Sequence, residues 1–289
     1  MTDSASEAVE RLVERLHRAP LRVWSIVITV FGDAIAPRGG QVWLGDLIRL
    51  LERLAISPAT LRTAISRLAT DGWVERRRFG RRSFYGISTK QISVFQDAER
   101  RIYASHAPEW PNQRWFLSHP EDAEVAGRLK TLGFGILPGG WMIRPETTFS
   151  RDAEAPLKRG LFFEGRARTP MDPSTVWPLM DLAERYRGLL TSFTPLKGAV
   201  GAMSPVNAMA ARTLLIHDLR RVVLKDPCLP AALLPQDWPG DAMRTLAAEL
   251  YRGLVPASEE WLGECQSEPN VILKSPEPWF FNRFGRFQG

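Results

Sequence analysis

Cysteine is almost missing from this sequence: Cys228 and Cys265 are the only two among 289 residues. Two thiols cannot build the disulfide framework of a small secreted domain, so the expected setting is reducing and cytoplasmic. Long apolar runs are missing too. Val23 to Phe31 contains Ser25 and Thr29 and falls far short of the roughly 20 residues a membrane span requires, so no membrane role is expected. The opening Met1-Thr-Asp-Ser-Ala-Ser-Glu7 is acidic and polar and does not read as a signal peptide. Histidine numbers four, and His17, His106, His119 and His217 lie too far apart for metal-ligand spacing. Asp218 follows His217 directly, but neighbours on a helix point to different faces. G-x-S-x-G, a P-loop and C-x-x-C do not occur, and Gly133-Phe-Gly135 lacks the third glycine of a dinucleotide fingerprint. Asp152 and Glu154 could in principle hold a metal, but two carboxylates in a polar loop read as solvated. No catalytic residue, metal or cofactor is expected.

What the sequence does have is an uneven distribution of charge. The net charge is +6, and 32 of its 38 cations are arginine. Residues 20–105 carry 14 Lys+Arg against 7 Asp+Glu, residues 1–19 carry 3 against 4, and the remainder carries 21 of each. A basic segment beside a neutral two-thirds is the footprint of a nucleic-acid-binding module, although a solvated cationic face would look the same on charge alone.

Patterning sharpens the reading of that segment. Glu7 to Arg18 forms an amphipathic helix with Val9, Leu12, Val13 and Leu16 on one face. Leu21 to Phe31 is β-branched and fits a strand or a buried helix. After the turn Pro37-Arg-Gly-Gly40, apolar residues from Val42 to Leu54 make a helical stripe that stops near Ala55-Ile56. Ser57-Pro58 then starts a second helix, with serine as cap acceptor and proline at a position whose N–H has no partner. Leu61, Ala64, Ile65 and Leu68 face inward. Ser57, Thr60, Arg62, Thr63, Ser66 and Arg67 are left for DNA, and Gly72 closes the helix. Trp73 to Phe79 and Arg82 to Ile87 pair as a hairpin about Gly80-Arg81, with Arg76, Arg77, Arg78, Arg81 and Arg82 around its tip. Two helices joined by a short turn and followed by a basic hairpin are a winged helix-turn-helix. Its second helix would read base edges and its wing would touch phosphates. Arg38, in the preceding turn, is a further candidate for the DNA backbone.

The residues also resemble a known family. Phe31-Gly-Asp-Ala-Ile-Ala-Pro-Arg-Gly-Gly-Gln-Val-Trp-Leu-Gly45, Leu61-Arg-Thr-Ala-Ile-Ser-Arg-Leu68, Asp71-Gly-Trp73, Gly80-Arg-Arg-Ser-Phe-Tyr85 and Ala98-Glu-Arg-Arg-Ile-Tyr103 are similar to PaaX-type repressors of phenylacetic acid catabolism. The likeness continues at Arg128–Gly135, Ile216–Arg221, Lys225–Pro230, Leu234–Gly240 and Glu249–Gly253, and spans roughly residues 20–262. It implies an α+β multidomain chain and favours helix over strand for residues 21–35. The implied parts are an N-terminal helix (1–19), a winged helix-turn-helix of GntR-like type (20–105), a small ferredoxin-like domain (106–172) and a helical C-terminal domain (173–289) with an aromatic tail. It implies a repressor that sits on double-stranded operators of aromatic-degradation genes and is released by an aryl-CoA thioester such as phenylacetyl-CoA.

The neutral part agrees with that layout. Strand-like stretches at 114–118, 134–137, 141–144 and 160–165, with a helix over 121–132, follow the ferredoxin-like order. Residues 179–190, 206–224 and 242–254 read as helices. An acyl-CoA needs cations for its phosphates and an apolar pocket for its acyl end. Arg144, Arg185 and Arg187 near Trp141, Trp177 and Phe193 are candidates for those roles. A homodimer is expected, because operators are normally read by two-fold dimers. Two other classes remain in play: a nuclease gripping substrate with the basic segment, and a non-specific architectural DNA binder. What the aromatic tail from Ser267 to Gly289 does is open, with a groove lining and a subunit contact as its two readings.

Overall fold

A computed structural model describes residues 2–147, 159–169 and 171–285. Asp152, Glu154 and Phe287 lie outside these residues. The chain mixes helices with small sheets and divides into two compact units. Unit 1 is Met1–Ser105, Leu189–Arg220 and Arg244–Gly289; unit 2 is His106–Gly188 and Arg221–Met243. The segment 173–289 contributes to both: residues 189–220 and 244–289 to unit 1, and residues 173–188 and 221–243 to unit 2.

Unit 1 begins with α1 (Thr2–His17), which buries Val9, Leu12 and Val13, and α2 (Val23–Val30). Residues 23–35 are helical: α2 is buried on nearly all sides and continues into a π-helical turn at Phe31–Ile35. The short β1 (Gln41–Trp43) leads into α3 (Leu44–Arg53). The stop after α3 is made by Ala55, which takes φ +55°. Helix α4 (Pro58–Thr70) starts where Ser57 Oγ accepts the Thr60 N–H at 3.2 Å, and Gly72 follows it with φ +73°. Leu61, Ile65 and Leu68 anchor it against α2 and α3.

Strands β2 (Val74–Phe79) and β3 (Arg82–Ile87) pair antiparallel from Val74↔Ile87 to Phe79↔Arg82. The register leaves Gly80-Arg81 as a two-residue turn, and Gly80 supplies the positive φ (+58°) that such a turn demands. β1 adds to the other edge of β3. Helix α5 (Ile92–Ile102) follows.

Unit 2 contains β4 (Trp115–Pro120), α6 (Ala123–Thr131), β5 (Gly135–Ile136), β6 (Met142–Pro145) and β7 (Gly160–Gly165). Its sheet runs β5-β6-β4-β7 and is antiparallel throughout. Val125, Leu129, Phe134 and Met142 pack α6 onto it.

The helical remainder is α7 (Leu179–Phe193), α8 (Pro205–Val223) and α9 (Pro239–Gly263). A small hairpin, β8 (Gln266–Glu268) with β9 (Val271–Ile272), comes after α9. The aromatic tail that follows is built into unit 1: Phe280 and Phe284 are buried there, and Phe284 N–H donates to Tyr103 O at 2.8 Å. No described helix is long and apolar enough to cross a membrane.

Candidate nucleic-acid interface

Helix α4 presents two unlike faces. Leu61, Ile65 and Leu68 are at most 3% exposed, while Thr60, Arg62, Thr63, Ser66 and Arg67 all lie in solvent. The anchored face fixes the rotation of the helix, so its polar row points outward without needing a partner to hold it there. Thr63 Oγ1 donates to Ala59 O at 3.1 Å, a local bond that leaves lone pairs on the hydroxyl. Ser57 is partly committed: besides capping, its hydroxyl meets Thr60 Oγ1 at 2.9 Å. Arg67 lies 3.7 Å from Asp71, and its side chain remains 76% exposed, so the ion pair is loose and solvent-screened.

The five hairpin arginines are all exposed but differ in how they are held. Arg76 donates to Ser83 Oγ at 2.8 Å, and Arg78 Nε donates to Gly80 O at 3.0 Å. Arg82 donates to Gln266 Oε1 at 3.0 Å and lies over the Trp43 ring. Among the described residues, no hydrogen bond or ion pair engages Arg62, Arg77 or Arg81. Unpaired guanidinium groups on an exposed helix face and a hairpin can neutralise phosphates without first breaking anything.

Arg38 must be removed from this surface. Its side chain is 1% exposed, ion-paired with Glu259 and donates Nη1 to Ala34 O at 2.6 Å. The turn Ala36–Arg38 directs it inward, and a phosphate has no access to it.

Arg38 belongs instead to a buried network that the sequence reading missed. The π-helical turn carries Asp33, whose Oδ2 accepts Arg212 Nε at 2.7 Å. Its Oδ1 accepts Arg283 Nη1 at 3.1 Å and the hydroxyls of Tyr103 and Tyr251, each at 2.7 Å. Arg212 also reaches Ser258, Glu259 and Tyr251, and Arg283 reaches Glu99 and Gly32 O. Arg38, Arg212 and Arg283 thus balance Asp33, Glu99 and Glu259. Burial pushes the Asp33 carboxyl up, but the two guanidiniums and two phenols overcome this and hold its pKa below the ordinary value. One signal was available in the sequence. Arg212 interrupts the apolar stretch from Ala208 to Ile216, and Asp33 interrupts that from Ile26 to Ile35.

The six effector candidates are held in different ways. Phe193 belongs to unit 1, is fully buried and lies under the Arg15 guanidinium at 5.0 Å. Trp177 is core in unit 2: its Nε1 donates to Gly133 O at 3.0 Å, and its ring crowds Gly135. Arg144 is buried on β6, across from Phe116. Trp141 is half-buried against His119 and Phe163. Arg185 is exposed, as is Arg187, which pairs with Asp237 at 2.8 Å. Among the described residues, no three His, Cys, Asp or Glu side chains could hold a metal together.

Comparison with known proteins agrees with the likeness read from the sequence. Residues 22–91 match the model of the PaaX-like protein family, and residues 177–264 match that of the PaaX-like protein C-terminal domain. The chain is 32% identical to the transcriptional repressor PaaX of Escherichia coli K12, covering 93% of this chain and 92% of that protein. An uncharacterised protein of Mycobacterium tuberculosis, Rv0674, shares the fold at a TM-score of 0.51 and 22% identity, over 82% of this chain and 97% of that one. The chain belongs to the PaaX-like family.

Proposed function

We propose that this protein is a DNA-binding transcriptional repressor of an aromatic, phenylacetate-type catabolic operon, released from its operator by an aryl-CoA thioester. The observation that carries the reading is the outward row Thr60, Thr63, Ser66 and Arg67 on a helix pinned from behind by Leu61, Ile65 and Leu68. Kinship with a protein named as a transcriptional repressor supports it. In this reading α3, α4 and the β2–β3 hairpin are a winged helix-turn-helix. Helix α4 enters the major groove, and Arg77 and Arg81 lie along phosphates. Arg76, Arg78 and Arg82, already engaged within the protein, set the shape of the wing and add to its field. The sheet of unit 2 is ferredoxin-like: its own strands run second, third, first, fourth, with α6 between the first and second. The repressor works in the cytoplasm as a homodimer whose two-fold axis matches a palindromic operator.

The test is a footprint of the region upstream of the protein's own gene, in the presence of excess bulk genomic DNA. Protection of a discrete site, lost on adding phenylacetyl-CoA, is the expected result. Protection that disappears with competitor DNA alone points to an architectural binder, and reproducible cleavage with divalent metal points to a nuclease.

A further inference from the structure

Unit 2 carries a solvent-open cavity of about 590 Å³, inside the range of about 300–1,000 Å³ that small-molecule sites occupy. Its lining includes the apolar side chains of Trp110, Trp115, Leu179 and Leu234. Trp110 and Trp115 meet edge to face with ring centroids 5.1 Å apart. The indole N–H of Trp110 donates to Arg114 O at 2.8 Å, so its donor is already used. Arg166 and Arg168, from the segment after β7, also line it. Arg166 donates only Nε, to Asn112 O at 3.1 Å. No hydrogen bond or ion pair engages Arg168 among the described residues.

The one carboxylate in the lining, Asp172, is turned to its own chain. It accepts the Ser174 N–H at 2.9 Å, and hydrogen bonds from Ser174 hold it below the usual pKa. Gln113, also in the lining, sits at φ +51°, a conformation that favours glycine. Strained backbone of this kind concentrates where a ligand site dictates the local shape.

We propose that this cavity binds a small amphipathic anion, a flat apolar body seated against the two tryptophans with a carboxylate or phosphate held by Arg166 and Arg168. The planar guanidinium fork suits both anions. The inference deepens the effector reading above and rests on it for the biological role. It relocates the effector site, since none of Trp141, Arg144, Trp177, Arg185, Arg187 and Phe193 lines the cavity.

Isothermal titration of the full chain, free of DNA, with phenylacetate, coenzyme A and phenylacetyl-CoA tests it. Binding of the acid alone identifies a carboxylate, binding of coenzyme A identifies a phosphate, and tight binding of the thioester alone requires both halves of the site. Arg168→Glu, in an exposed loop, and Leu234→Trp, which places a bulky ring in the lining, should each weaken binding at least tenfold. Both variants should keep wild-type operator affinity without ligand, and Arg185→Ala should bind the probes normally. Unchanged probe affinity in Arg168→Glu and Leu234→Trp overturns the assignment, as does a wild-type chain that binds none of the three at millimolar concentration. If the chain ignores operator DNA yet binds a probe through these residues, the cavity stands and the repressor reading falls.

Discussion

Arg62, Arg67, Arg77 and Arg81 stand in solvent on α4 and the hairpin, whereas Arg38, Arg212 and Arg283 in the same unit are almost completely enclosed. The first group has little to hold it and is available to a polyanion. Each member of the second has a carboxylate and further acceptors around its fork, and rings over its faces. Arg283, for example, lies 4.1 Å from the Tyr103 centroid and 4.9 Å from that of Phe280. One side-chain type thus serves surface recognition in one region and core cohesion in the other, and neighbours decide which. Position along the chain blurs the two: Arg38 was a candidate for the DNA backbone because it lies in a turn, and the turn directs it inward.

The largest test of this contrast removes a buried partner. Arg212→Met leaves Asp33 to Arg283 and the two tyrosines, and Glu259 to Arg38 alone; breaking a buried pair costs about 3–5 kcal/mol. Thermal or urea unfolding should show that loss, and a change below about 1 kcal/mol would mean that the network adds little cohesion. On the surface, Arg67→Ala should leave the melting temperature unchanged. It should weaken operator binding by about 1–3 kcal/mol and relax preference at one base pair, as a selection or competition assay can read. Retained preference would put Arg67 off the bases.

The acid limb of the stability curve comes next. The Asp33 pKa is depressed in the folded state, so its contribution is present above the unfolded aspartate value of about 3.9 and fades as pH falls through the lower folded value. Asp33→Asn should flatten that limb, as seen in unfolding followed from pH 5 downward. The smallest effect belongs to Arg77→Ala. It should lower affinity for any DNA sequence about equally and reduce the salt slope by about one ion, with no change in folding.

Much of unit 1 was legible because its signals are local. Ser57-Pro58, Gly72 and Gly80 each impose a backbone state on their immediate neighbours, and the structure places α4 and the hairpin within a residue or two of expectation. The strands at 115–120 and 160–165 were equally readable from their short runs of aromatic residues and leucine. Strand β1 was not, since three residues become a strand only through the edge of β3, more than forty positions away. The network around Asp33 was illegible for the same reason: its partners at 212 and 283 come from distant segments. Trp177 and Phe193 looked like pocket walls because aromatic residues near arginines in sequence do not reveal that packing has already taken both rings.

Arg283 and Phe284 have a consequence for synthesis. The segment proposed to read DNA is encoded first, yet a buried guanidinium and an aromatic ring of its unit arrive only when the ribosome has translated almost the entire message. A nascent chain halted before codon 283 holds Asp33 without its Arg283 partner, and one halted before codon 212 holds it without either guanidinium. Incomplete products should therefore fail to fold and be cleared, rather than persist as truncated competitors for the promoter.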